Sequence, residues 1–167
     1  MNYLEREAEY FRIVGDLLEN PYVLELKKFL HHLDSTRFEH CLNVSRASWR
    51  AAKIFGLNPN ACARAGLLHD LFFYDYAASG FASEHIYIHP AEALANARKV
   101  TELTDCEEDI ILRHMWPTCD GVPKYAETYL VSFIDKYCAT AEGMTCIWLR
   151  CVNAWKRFVP TVASVRR

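Results

Sequence analysis

Six residues in this 167-residue chain have the types and spacing for metal chemistry: His40, the pair His69-Asp70, His89, His114 and Asp135. From His40 through His69, His89 and His114 to Asp135 the successive intervals are 29, 20, 25 and 21 residues, each about one helix plus a connection. A helical chain would therefore deliver a new element to a common centre at every step. Four neutral imidazoles and two carboxylates form a nitrogen and oxygen donor set suited to Mn, Fe, Co, Ni or Zn rather than to an all-oxygen calcium cage. One inward histidine alone is more often a hydrogen-bonded core residue than a ligand. The joint arrangement carries the weight.

The elements that must position these groups follow from apolar periodicity. Spacings of three and four residues recur throughout and hairpin signals are missing, so the expected fold is all-α, a compact bundle of about seven or eight helices. The pattern predicts helices over 3–18, 22–32, 38–56, 60–74, 90–103, 106–115, 124–140 and 143–158, with Gly143 dividing the last two. A structureless segment is expected from Asp75 to His89, a length at which loops are commonly functional. His40 shares a stripe with Val44, Ala47, Ala51 and Ile54. His69 follows the small residues Cys62, Ala65 and Gly66, and His114 follows Ile110 and Ile111. Three histidines thus face inward, and Asp70 beside them needs a partner or a metal. Asp135 is open to either reading, because Ser132, Lys136 and Ala139 could make a solvated stripe with it. In the last helix Met144, Ile147, Trp148, Cys151 and Trp155 form an apolar face expected to dock on the body.

Composition narrows the class. With 51% hydrophobic and 24% charged residues the chain is globular, and its length suits a single domain over 1–167. Nineteen Lys and Arg against 21 Asp and Glu leave a net charge of -2, so no strong basic field draws nucleic acid or an anionic membrane. Seven cysteines, an odd count with no CxxC pair, read as reduced thiols. The acidic N-terminal stretch and the absence of a membrane-length apolar run lead to an expectation of cytoplasmic residence.

The segments RFEHCLNV (37–44), AGLLHDLFFYD (65–75), HIYIHP (85–90), ILRHMWP (111–117) and FIDKY (133–137) resemble, in order and residue type, the HD superfamily of metal-dependent phosphohydrolases. The likeness covers residues 37–142, leaving N-terminal helices over 1–34 and a C-terminal helix over 143–158 to pack on that core. It is greatest to small bacterial single-domain members that hold two metals, such as HD-type dinucleoside tetraphosphate hydrolases. The resemblance implies that His40, His69, Asp70 and Asp135 ligate one ion, and that His89, His114 and a bridging Asp70 ligate a second. It further implies hydrolysis of a phosphoester or phosphoanhydride in a nucleotide-like small molecule by a hydroxide bridging the metals. Asp70 is then a catalytic group, and Asp75 is a candidate acid for the leaving oxygen.

His85, Arg113 and Lys136 are candidates to meet a phosphate, each with an ordinary structural alternative as a helix-surface or loop charge. Arg37, one turn before His40, is similar to an arginine often found there in the family, which implies a role in orienting the site and binding substrate. Trp116 and Tyr74 could stack a base or simply pack. Where many family members carry a small residue and a lysine after the HD pair, this chain has Leu71, Phe72, Phe73 and Tyr74, implying a more aromatic pocket. Two other functions stay open on the same ligands: an HD-type diiron oxygenase and a non-catalytic nucleotide-binding regulatory module. A homodimer is also compatible with the exposed Trp and Tyr expected of this composition.

Overall fold

The computed structural model describes residues 3–32, 35–75 and 84–165. Seven helices lie among them: α1 (Tyr3–Leu18), α2 (Pro21–Glu25), α3 (Arg37–Phe55), α4 (Pro59–Leu68), α5 (His85–Val100), α6 (Asp105–Arg113) and α7 (Ala126–Val165). The protein is an all-α bundle. The strands among the described residues make a short antiparallel ribbon, β1 (Leu30–His32) with β2 (Ser35–Thr36). No helix among the described residues is long and apolar enough to cross a membrane.

The helix starts are written in local chemistry. Thr36 caps α3 in a reciprocal box with Glu39, and Thr104 does the same for α6 with Glu107. Asn58 caps α4 ahead of Pro59, and Gly56 closes α3 in the left-handed region at φ 69°. These caps fix where His40, His69 and His114 fall. His40 lies in the first turn of α3, while His69 and His114 are the residues that end α4 and α6.

Helices α3 and α4 form the densest pair. A Cβ on Gly66 would sit 3.0 Å from Ser45 Cα, so only glycine permits this approach. Ser45 Oγ donates to Ala63 O at 2.6 Å and lies 2.7 Å from Tyr10 Oη, which ties α1 to the same seam. Around it the core is filled by Leu17, Leu26, Val44, Trp49, Leu67, Leu68, Ile110 and Ile111. Cys41, Cys62 and Cys138 are buried free thiols, as expected of reduced core fillers.

Several expected boundaries differ. The helix read over 22–32 is α2, then one 3-10 turn over Leu26–Lys28, then β1. Phe29 turns extended at φ -105°, its carbonyl accepts Arg37 N at 2.8 Å, and its ring faces the Arg37 guanidinium at 5.0 Å. The helix read over 60–74 stops at Leu68, because the carbonyls of the next turn bond elsewhere. Asn96 Nδ2 donates to Leu71 O, and Arg37 donates to Phe72 O and Tyr74 O. Of the loop read from Asp75 to His89, residues 76–83 lie outside the described residues, and α5 already begins at His85.

Gly143 does not divide the C-terminal helix, since one glycine costs a helix interior only about 1 kcal/mol and α7 runs on for 40 residues. The stripe expected to dock is left uncovered: Met144, Ile147 and Trp148 are all more than 60% exposed. The side chains of Cys151 and Trp155 lie outside the described residues. Ile54, at the far end of the His40 stripe, is also exposed.

Candidate metal centre

All six groups singled out in the sequence converge, and all are buried. Their side-chain nitrogens and oxygens form three overlapping triads, each with its atoms within 4.8 Å of one another: His40, His69 and Asp70; His69, His114 and Asp135; Asp70, His89 and His114. Asp70 is shared by the first and third. Asp135 faces inward on α7, which resolves the alternative of a solvated stripe. Its Oδ1 stands 3.0 Å from His40 Nε2 and 3.4 Å from His69 Nε2. Asp70 Oδ1 stands 3.4 Å from His89 Nε2 and 3.7 Å from His114 Nε2.

The tautomers follow from what lies behind each ring. His69 Nδ1 faces Gly66 O at 2.9 Å, His114 Nδ1 faces Ile111 O at 2.8 Å, and His89 Nδ1 faces His85 O at 2.7 Å. A carbonyl can only accept, so each Nδ1 carries a hydrogen and each neutral ring presents a bare Nε2 lone pair to the centre. His89 Nε2 and His114 Nε2 are 2.9 Å apart. Two lone pairs at that distance repel unless a cation, proton or metal, lies with them. His69 Nε2 is fully buried and makes no well-formed hydrogen bond. Four imidazoles and two carboxylates brought together in this way form a set that fits a divalent transition metal.

Electrostatics divide the cluster into two halves. Burial alone would lower the pKa of His40, but the carboxylates of Asp135 and Glu142 outweigh it and hold the ring at about 9. His69 is likewise raised well above the ordinary value against its burial, chiefly by Asp70. His114 goes the other way: burial, then the charges of His69 and His89, push it down to about 3. Asp135, despite burial, is held well below the usual carboxylate range by His40 and His69.

The remaining candidates take different places. Arg37 is fully buried behind the HD segment, with its guanidinium 3.5 Å from the Phe72 ring centroid and its donors on Phe72 O (2.6 Å) and Tyr74 O (3.1 Å). It braces the strand of chain that follows Asp70. His85 stacks on His89 at 4.4 Å and lies 3.0 Å from Tyr74 Oη, and burial followed by the His89 charge lowers it to about 4. Lys136 Nζ donates to His114 O, Ser132 O and Ser132 Oγ at 3.0, 3.2 and 2.9 Å, closing the C-terminal end of α6. Arg113 pairs with Asp109 at 2.5 Å and lines a cavity of about 340 Å³ with Leu94, Arg98 and Lys124. Asp75 is exposed and is not among the converging ligand groups.

Sequence reasoning missed Glu142. Its Oε2 lies 3.1 Å from His40 Nδ1, and its Oε1 accepts from Asn43 Nδ2 at 3.1 Å. The signal was present, since Glu142 is seven residues, two helical turns, beyond Asp135 on the same face of α7. The chain matches no family model, no curated protein and no solved structure.

Proposed function

We propose that this chain is a metal-dependent phosphohydrolase of HD type, acting on a phosphoester or phosphoanhydride of a nucleotide-like small molecule. The observation that carries the reading is the buried convergence of His40, His69, Asp70, His89, His114 and Asp135 around one centre, with Asp70 common to two of the three triads. His40, His69, Asp70 and Asp135 would hold one divalent ion, and Asp70, His89 and His114 a second. Such a pair of ions supplies Lewis-acid charge and lowers the pKa of water, the chemistry that phosphoryl displacement needs.

The chain's own groups complete the task. Arg37 binds the carbonyls of Phe72 and Tyr74, so the residues after Asp70 stay out of α4 and Phe72 packs on His89. Phe72 is fully buried against the histidines and excludes water from that side. Tyr74 Oη lies 3.0 Å from His85 Nδ1 and holds that ring at the rim of the cluster. With its pKa lowered to about 4 by burial and then by His89, His85 is neutral there and offers a polar ring to a substrate phosphate. Asp75, exposed after the aromatic segment, remains the candidate acid for the leaving oxygen.

The test is release of phosphate or nucleotide from a broad panel by the protein loaded with Mn²⁺, Co²⁺ or Fe²⁺. Activity that disappears in His69→Ala and Asp70→Ala supports the reading. Silence across the metal-loaded panel sinks it, and turnover that requires oxygen would assign the centre to oxygenase chemistry instead.

A further inference from the structure

Each histidine of the cluster needs an acceptor behind its Nδ1, and three of the four find one on the backbone. His69 and His114 end their helices and use the carbonyls of Gly66 and Ile111 in the last turn, where carbonyls lack helical partners. His89 uses His85 O, one turn back on α5. His40 differs. It lies in the first turn of α3, and its acceptor is a carboxylate from another helix, Glu142 of α7. Glu142 is itself fixed, because Asn43, one turn after His40, donates to its other oxygen. Both carboxylate oxygens are thus engaged by α3.

The two halves of the centre are therefore unequal in charge. Around His40 and His69 stand Asp135 (3.0 and 3.4 Å), Asp70 (3.8 Å from His69) and Glu142 (3.1 Å from His40). Among the described residues, Asp70 is the one carboxylate within 4 Å of His89 and His114, at 3.4 and 3.7 Å. A carboxylate behind a metal-binding histidine fixes its ring and raises the basicity of the opposite nitrogen more than a carbonyl does.

We infer that Glu142 is a positioning residue for His40, and that through it the His40–His69 half of the centre binds a divalent ion first and more tightly than the His89–His114 half. This rests on the metal-centre reading above. Glu142 touches no reacting atom; it holds the ring of His40 with Nε2 toward the centre. The contact also anchors α7 to α3 beyond the last ligand, Asp135.

The test titrates the full-length, chelator-stripped protein with Co²⁺, following visible absorption and calorimetry for the wild type, Glu142→Ala and Glu142→Gln. The wild type should bind in two resolved steps. Glu142→Ala should weaken the tighter step about 10- to 100-fold and leave the weaker one unchanged. Glu142→Gln, whose amide oxygen can still accept from Nδ1–H but lacks the charge, should recover part of the loss. An unchanged titration in Glu142→Ala, equal weakening of both steps, or a Glu142→Gln no better than Glu142→Ala overturns the inference. Should Glu142→Ala fail to fold, nitrogen-15 spectra of the wild type decide: the Co²⁺-free protein must show a hydrogen on His40 Nδ1 that persists when one equivalent of Zn²⁺ occupies Nε2. Wild-type protein that binds no ion at all refutes the metal centre itself, a separate outcome.

Discussion

Raising the pH of the chelator-treated protein should destabilise it over a window set by His40, with the raised His69 acting in the same direction. The folded ring holds its proton up to about pH 9, against an ordinary value of 6.5, because two carboxylates face its two nitrogens. The folded state binds that proton more tightly than the unfolded chain does. Its stabilisation is therefore complete below pH 6.5 and is lost as the pH rises through about 9. At about 1.4 kcal/mol per pH unit the window is worth about 3 kcal/mol, or a fall in Tm of roughly 6–12 °C for a chain of this size. Thiols add to the fall only at its upper end, with or without metal. Burial pushes Cys62 and Cys106 to about 12 and Cys138 to about 11, so ionisation of the unfolded thiols costs stability above about pH 8.5, and the His40 part is read below that. Urea unfolding in chelator at half-unit steps from pH 6 to 9.5 measures the fall. A bound divalent ion takes the place of the Nε2 proton, so the same series in Mn²⁺ should stay level or rise below about pH 8.5, and ion at 100 times its Kd should add about 2.7 kcal/mol. A metal-free stability flat from pH 6.5 to 9, or an equal fall with metal present, would refute the assignment of His40.

The acid side should show the opposite limb. His114 and His85 are held near 3 and 4, so the stability they contribute is complete above pH 6.5 and declines toward those values, readable as a falling urea midpoint in the metal-free protein. Gly66→Ala would press a methyl against Ser45 Cα at 3.0 Å and Ser45 N at 3.3 Å, backbone atoms that cannot swing aside. Urea denaturation should register a loss of about 1–3 kcal/mol. Arg37→Met keeps the stem but removes the donors to Phe72 O and Tyr74 O, which should cost about 3 kcal/mol and lower metal affinity by loosening the segment after Asp70.

The ligand positions were legible because their chemistry and their spacing agree. Imidazoles at helix-length intervals on apolar faces have few other uses, and the capping residues Thr36, Asn58 and Thr104 set the phase of the helices that carry three of them. Gly66 and the small residues before it are the local condition for the close approach of α3 to α4. What stayed hidden was tertiary. Nothing local ends α4 at Leu68; the carbonyls of Leu71, Phe72 and Tyr74 are claimed by Asn96 and Arg37, at 25 to 37 residues' separation. The 22–32 segment has helical spacing, yet Phe29 is drawn out to meet Arg37. Gly143 looked like a break because glycine is a poor helix former, but a cost near 1 kcal/mol is small beside the continuity of α7. Lys136 looked free to meet a phosphate, whereas its ammonium is held by three oxygens around the end of α6.

The most direct measurement is the metal content of the full chain after equilibration with Mn²⁺ and removal of excess, joined to anomalous scattering from a crystal of the same material. Two ions per chain, one against His40 and His69 and one against His89 and His114, with Asp70 touching both, is the predicted result. A folded chain without bound ions, in which His89 Nε2 and His114 Nε2 share a proton across their 2.9 Å separation, would contradict it.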